Sequence, residues 1–382
     1  MYLFALLLSF LHFGNALLLP NPSGPYPVAL KINTMTDNHR IDPYAPNRQK
    51  RRILTSIFWP VDSKSCSSTQ VPYMPPATAA AYGAQAAQLG LSNDTFSVLE
   101  MEVCSVSKTS ACQSSSGHKE AKFPLAVFSP GSGNSRLQYS AMARSLASYG
   151  YVVVLVDHPY DASIVEFPDG TIIAGGNIPE DEENLETATQ VRAADISFVI
   201  SQVEKPSFQN KIFKGLPGKV DTKKTVALGH SLGGASAAAA VLSDSRIKGG
   251  INLDGRLFNP VLSKGLNKPF MQLGRPNHRS EDTTWVKFWN KLTGPKVELA
   301  IDGTIHGSYL DTALVLKTLG LPKEIMKQTV PIVGSVDGEV LQKTVSELLS
   351  AFITYTFGGY KAALLKTVKG TEGVSIVKSQ LR

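Results

Sequence analysis

The chain has 382 residues, of which 43% are hydrophobic and 18% charged. That balance excludes an intrinsically disordered chain and supplies enough apolar side chain for a sizeable core. The net charge of +7 is uneven, gathered in "RQKRR" at residues 48–52 and in the last 22 residues, where five cations stand against Glu372. Neither cluster is interleaved with aromatics, which argues against a nucleic-acid partner. Solvated surface charge accounts for both, with attraction to an anionic surface left open.

The start, "MYLFALLLSFLHFGNALLLP", is apolar and places Gly14 and Ala16 at the −3 and −1 positions of a cleavage site. This predicts a secretory signal peptide over residues 1–16 and an extracellular protein. No Lys or Arg precedes the apolar run, so a retained anchor stays open. No later stretch is long and apolar enough to span a bilayer. Secretion fits the glycosylation triplet "NDT" at Asn93. It also permits one disulfide among Cys66, Cys104 and Cys112; spacing does not fix the pair, and the short Cys104–Cys112 loop favours that one. No Cys/His cluster has zinc-ligand spacing, and nothing calls for a metal or cofactor.

Residues 17–50, rich in Pro and Asn, read as an extended lead-in. "RILTSIFWPV" has the β-branched and aromatic content of a strand, and the "KRR" before it reads as the start of that strand rather than a processing site. "YMPPATAAAYGAQAAQLG" predicts a loop leading into a short helix. A regular alternation follows. "FPLAVFSPG" is a buried strand, and "SRLQYSAMARSLASYG" has helical spacing stopped by Gly150. "YVVVLVDH" is a near-continuous apolar run of the kind found in sheets covered on both faces. An insertion at residues 159–183 contains a hairpin turning at Pro168-Asp169-Gly170. "PEDEENLETATQVRAADISFVISQV" is a long helix with acids at its N-terminus. "TVALGH", "GGINLDG", "PFMQLG" and "KVELAIDG" are strands, "LGGASAAAAVL" is a helix, and residues around 336–359 form a closing helix. "TTWVKFWNKL" puts Trp285, Phe288, Trp289 and Leu292 on one helical face. Core packing is the expected use of that face, and peripheral lipid contact is the alternative. Strand–helix alternation means a mostly parallel central sheet with helices on both faces, an α/β fold.

Residues 229–233, "GHSLG", fit G-x-S-x-G between a strand and a helix. That turn is so sharp that bulky neighbours would collide, so glycine on both sides lets Ser231 project from the sheet edge as a nucleophile. The α/β-hydrolase fold follows from this context. A serine hydroxyl needs a base, and only His278 and His306 follow Ser231. His306 comes just after the last parallel strand, at the edge the serine faces. His278, amid charged residues, reads as a surface residue. The acid that orients the base is expected at Asp254, with Asp282 and Glu281 as alternatives; Asp302 is near His306 in sequence, but no turn geometry that lets it support His306 is implied. His230 is expected only to pack, and His158 to line the site. Two N–H donors should meet the developing oxyanion: Leu232, after the nucleophile, and Ser132, in the small-residue loop "PGSGN".

Together "FPLAVFSPGSG", "LASYGYVVVLVDHP", "GHSLGGAS", "INLDG" and "IHGSYLD" resemble the secreted-type platelet-activating-factor acetylhydrolases, the lipoprotein-associated phospholipases, over most of the chain. The resemblance implies a calcium-independent serine esterase acting on short or oxidised sn-2 acyl chains of phospholipids. It also implies Ser231, Asp254 and His306 as the triad and Leu232 and Ser132 as oxyanion donors. Three features depart from the family: Ser129-Pro130-Gly131 stands where a histidine and glycine are common, Ser132 is polar where an apolar residue is typical, and the helix and hairpin around residues 159–183 match poorly. The expected organisation is a signal peptide at 1–16, a lead-in at 17–50, a hydrolase domain at 51–360 and a basic tail at 361–382. The alternatives are a general carboxylesterase on small or secondary-metabolite esters and a non-catalytic binding protein on the same fold.

Overall fold

A computed structural model describes residues 16–106, 121–175 and 178–382. The expected leader lies outside the described residues up to Asn15, as does Cys112. The strands are β1 (Leu17–Leu18), β2 (Val28–Ile41), β3 (Lys50–Pro60), β4 (Cys66–Pro72), β5 (Leu99–Val106), β6 (Lys122–Ser129), β7 (Val152–Asp157), β8 (Ile164–Glu166), β9 (Ile172–Ala174), β10 (Lys219–His230), β11 (Ile247–Leu253), β12 (Phe270–Gly274), β13 (Lys296–Ile301) and β14 (Val374–Gln380). All but β8 and β9 form one sheet, in the order β1-β5-β2-β3-β7-β6-β10-β11-β12-β13-β14, with β4 paired to β5. The run from β7 through β6 to β13 is parallel throughout. Its carboxyl ends are in step: Gly229 pairs with Ser129, His230 with Leu253, and Leu253 with Leu273. Loops leaving these strands therefore gather along one edge, where ligand sites of open α/β sheets lie.

The alternation of side chains along β7 shows why the sheet must be covered twice. Val153 and Leu155 enter the core on one face, and Val152, Val154 and Val156 the core on the other. Burying each such side chain stabilises the fold by about 1.5–3 kcal/mol, so neither face tolerates water. The helices are α1 (Pro76–Gln88), α2 (Ser140–Ser148), α3 (Glu182–Val203), α4 (Pro206–Ile212), α5 (Leu232–Ser243), α6 (Val261–Lys264), α7 (His278–Glu281), α8 (Thr283–Lys291), α9 (Thr312–Thr318), α10 (Lys323–Val333), α11 (Gly338–Thr356) and α12 (Lys361–Gly370). Residues of α1, α2, α9, α11 and α12 pack in the first core, and residues of α3, α4, α5 and α8 in the second. Asp181 caps α3 by accepting the Asn184 N–H, adding a favourable negative charge at that end. β8 and β9 pair as the hairpin around Asp169.

Three expectations are corrected. Residues 17–50 are not a simple lead-in: β2 is a 14-residue strand paired antiparallel with β3. Its polar residues fall largely on exposed positions, which hid the alternation. Residues 361–382 are not a tail: α12 packs through Leu364 and Val368, and β14 closes the sheet antiparallel to β13. The disulfide joins Cys66 to Cys104, with Cα atoms 5.1 Å apart, because antiparallel pairing of β4 with β5 brings them together. As expected for core packing, Trp285, Phe288, Trp289 and Leu292 are all buried. That face of α8 packs inward and offers nothing to a lipid surface. Among the described residues no helix is long and apolar enough to cross a membrane.

Candidate active site

β10 ends at His230 and α5 begins at Leu232, leaving Ser231 alone at the corner. Its backbone sits at φ 56°, ψ −127°, a conformation that costs a non-glycine residue about 1–3 kcal/mol. The surroundings enforce it. The Ser231 N–H donates to Leu253 O at 2.9 Å, and Ser231 O accepts from the Gly234 N–H at 2.9 Å. The flanking glycines are required by close approach: a Cβ on Gly229 would lie 2.3 Å from Gly233 O, and one on Gly233 would lie 1.9 Å from Ser129 O.

His306 opens a short 3-10 turn after β13. Its Nε2 lies 3.1 Å from Ser231 Oγ, and its Nδ1 lies 2.8 Å from Asp254 Oδ2. A carboxylate only accepts, so Nδ1 carries the proton and Nε2 is free to receive one. Asp254 follows β11 and is 1% exposed, whereas the His306 side chain is 51% exposed. Burial works to raise the Asp254 pKa. Hydrogen bonds from His278 and His306, the His278 charge and the Arg275 amide outweigh it and hold the carboxyl well below its usual range.

His230 does more than pack. Its Nε2–H donates to His306 O at 3.0 Å, and its Nδ1 accepts from the Tyr139 hydroxyl at 2.9 Å. That hydroxyl in turn accepts from the Gly131 N–H at 3.0 Å. The chain of bonds ties the turn carrying His306 to the loop carrying Ser132. Burial, with His306 nearby, depresses the His230 pKa to about 3, so the ring stays neutral and the donor–acceptor order is fixed.

In the loop after β6, most amides are already engaged. Gly131 donates to Tyr139, Gly133 to Asp161, Asn134 to Gly131 O and Ser135 to Tyr82. The Ser132 N–H and the Leu232 N–H have no partner among the described residues. Contact between loop and nucleophile is close, since a Cβ on Gly131 would lie 3.3 Å from Ser231 Cβ. Arg192 braces the loop from behind, donating to Pro130 O at 2.5 Å and Gly131 O at 3.2 Å while paired with Asp161. The arrangement can serve acyl transfer: a strained serine, a histidine whose Nε2 faces it, a buried carboxylate and two N–H groups without a partner among the described residues. The cleft above them holds about 460 Å³ and is polar, with Arg256, Arg275, Glu281 and Thr283 on its walls.

The other histidines and acids fall elsewhere. His278 is not a surface residue. It is 5% exposed and places Nδ1 at 2.7 Å from Asp254 Oδ1. Sequence reasoning missed this, although His278 follows a parallel strand as His306 does. His158 does not line the cleft; it is buried between Ser129 and Asp195. Asp282 caps α8 through the Thr284 N–H, and Glu281 pairs with Arg275. Asp302 is not among the partners of His306.

Comparison with known proteins bears on the family and the fold. The family profile described as platelet-activating factor acetylhydrolase, isoform II, matches residues 12–171 and 179–359. A protein of Arthroderma benhamiae named "Probable 1-alkyl-2-acetylglycerophosphocholine esterase" is 32% identical over 92% of this chain and 91% of its own. Platelet-activating factor acetylhydrolase of Cavia porcellus is 28% identical over 62% of this chain and 58% of its own. Among solved structures, a ferulic acid esterase from Streptomyces cinnamoneus superposes with a TM-score of 0.73 at 26% identity, covering 95% of this chain and all of that one. The likenesses identify a carboxylic ester hydrolase of α/β architecture.

Proposed function

This chain belongs to the platelet-activating factor acetylhydrolase, isoform II, family, and from that premise we propose that it is a serine esterase removing short acyl groups from the sn-2 position of phospholipids. The supporting observation is the relay from Asp254 through His306 to Ser231, with 2.8 Å and 3.1 Å spacings. Ser231 Oγ attacks the ester carbonyl carbon as its proton passes to His306 Nε2. Asp254 stabilises the imidazolium, and the Leu232 and Ser132 N–H groups receive the oxyanion. Collapse breaks the bond to the leaving alcohol, which takes the proton from His306. Water then attacks the acyl-enzyme by the reverse proton path, releasing the acid and restoring Ser231. The cycle needs no calcium. Secretion and glycosylation at Asn93 belong to the same proposal; Asn93 is exposed and the leader pattern at residues 1–16 supports export.

A second reading is a carboxylesterase acting on soluble esters. The polar, open cleft and the likeness to a ferulic acid esterase favour it. The deciding experiment measures acetate release from 1-alkyl-2-acetylglycerophosphocholine and hydrolysis of a p-nitrophenyl ester series, in excess chelator, by the wild type and Ser231→Ala. Chelator-resistant phospholipid turnover that disappears in the variant supports the proposal. Turnover confined to soluble esters selects the second reading. Turnover equal in both proteins rejects Ser231 as nucleophile.

A further inference from the structure

Asp254 carries two histidines, and only one of them reaches the serine. His306 and the Arg275 side chain share Oδ2, at 2.8 Å and 2.6 Å. His278 and the Arg275 amide share Oδ1, at 2.7 Å and 2.9 Å. We propose that His278 is a positioning residue of the ester-cleaving site: it clamps the far oxygen of Asp254, so that the near oxygen is presented to His306. The proposal rests on the reading of Ser231, His306 and Asp254 as the catalytic relay.

The ring is held by contacts on its face and at both nitrogens. Its face lies on Trp285, with centroids 4.1 Å apart, and Trp285 is itself pinned by donating to Gly255 O at 2.8 Å. Its Nε2 faces Asp282 Oδ2 at 3.4 Å. His278 Nδ1 has an acceptor in Asp254 Oδ1 at 2.7 Å and a donor in Arg275 Nη1 at 2.5 Å; the ring serves the carboxylate in the form that bears a proton on Nδ1. The space behind the carboxylate is full: a Cβ on Gly274 would lie 2.9 Å from Asp254 Oδ1 and 2.8 Å from Trp285. Removing the His278 ring leaves Oδ1 with the Arg275 amide alone at a site almost closed to water. A carboxylate lacking a donor there gains by rotating, and rotation carries Oδ2 away from His306.

His278 can also carry charge. Asp254, Arg275 and Asp282 face it directly; Glu298 on β13 interacts with it through charge and is paired with Arg279 at 2.6 Å. His306 lies across the Asp254 carboxylate. Burial works to lower the His278 pKa, but the bonds to Asp254 and Asp282 outweigh it and raise the value above that of an ordinary histidine. A protonated His278 draws on the same negative charge that must stabilise the His306 imidazolium. Its deprotonation with rising pH returns that charge to His306.

The test uses the full chain as wild type, His278→Ala and His278→Asn. Asparagine keeps a donor near the place of Nδ1 but cannot ionise. For p-nitrophenyl acetate, His278→Ala should lower kcat by ~10- to 100-fold with little change in KM. His278→Asn should recover most of kcat and lose one ionisation from the kcat/KM pH profile. Imidazole nitrogen NMR should show His306 as a single Nδ1–H tautomer in the wild type and in His278→Asn, and as a mixture in His278→Ala. The proposal is overturned if His278→Ala keeps wild-type kcat and tautomer. It is equally overturned if His278→Asn keeps the full wild-type pH profile, a result that stands even should the alanine variant not fold. The NMR reading needs no turnover. A wild type inert on every ester would reject the proposed function while the His306 tautomer still decided the role of His278.

Discussion

Two buried aspartates in this molecule each hold a histidine that holds a serine. Around Asp254 the distances are 2.8 Å to His306 and 3.1 Å on to Ser231. Around Asp195 they are 2.8 Å to His158 and 2.9 Å on to Ser129. By hydrogen-bond lengths alone the two relays are interchangeable, but their surroundings are not. Ser129, His158 and Asp195 are all buried, and Ser129 ends a regular strand. Asp195 is balanced by Arg51 and Arg40, and burial lowers the pKa of His158 and keeps it neutral. Ser231 instead stands on a strained corner beside two unpartnered N–H groups, under a histidine half open to solvent. Access, strain and waiting donors separate the candidate site from a structural clasp, because a substrate needs a way in and an oxyanion needs partners.

Paired substitutions put that contrast to the test. The largest difference is expected at the serines. Ser231→Ala should reduce kcat for p-nitrophenyl acetate by a factor on the order of 10⁶. Ser129→Ala should leave kcat within a few-fold and cost about 1–3 kcal/mol in denaturant unfolding, since His158 Nε2 loses its partner. An inactive but stable Ser129→Ala would break the distinction. Next come the acids. Asp254→Asn should lower kcat by about 10⁴-fold, because an amide supports the wrong His306 tautomer. Asp195→Asn takes from buried Arg51 one of its two carboxylates, leaving Asp42 at 2.9 Å, and should cost about 1–3 kcal/mol of stability, with a smaller effect on turnover per folded molecule. Arg192→Met sits between the two classes. It unpairs Asp161 and frees the Ser132 loop, so thermal stability and kcat should fall together while KM changes little.

The smallest effect is the response of stability to acid, where the two relays should behave alike. Arg51 and His158 overcome the burial penalty at Asp195, and His278 and His306 do so at Asp254, so both carboxyls titrate below their usual value. A depressed folded pKa contributes stability that is present above the unfolded value near 3.8 and is lost as pH falls below it. Melting temperature should therefore hold on mild acidification and then drop, with a shallower drop in Asp195→Asn. A drop of wild-type steepness in that variant would show that Asp195 does not set the acid limb.

Much of the candidate site was legible because its geometry is local. The strand, the glycine pair and the helix around Ser231 adjoin in sequence, and the order serine, acid, histidine narrowed the candidates to a few. Other parts were hidden by distance. His278 read as surface because its neighbours Arg279, Ser280 and Glu281 are charged or polar, yet a four-residue helix turns its ring inward onto Trp285. The strand β2 was masked because Lys31, Asn33, Thr34 and the polar run at 36–40 fall on both of its faces, and β14 because a basic, Lys-bearing edge strand looks like a tail. Cys66 and Cys104 are 38 residues apart, and only strand pairing makes them neighbours.

By itself, then, the sequence determined the alternation of strands and helices, the covered parallel sheet and the serine at its corner, since each rests on periodicity or on a turn that few residues can make. The tertiary structure decided which of two histidines touches the serine, which aspartate relay opens to solvent, and which loop amide is left without a partner. Those outcomes depend on where separate strands end along one sheet edge and on how deeply each side chain is buried. Neither quantity is written in any short stretch of residues.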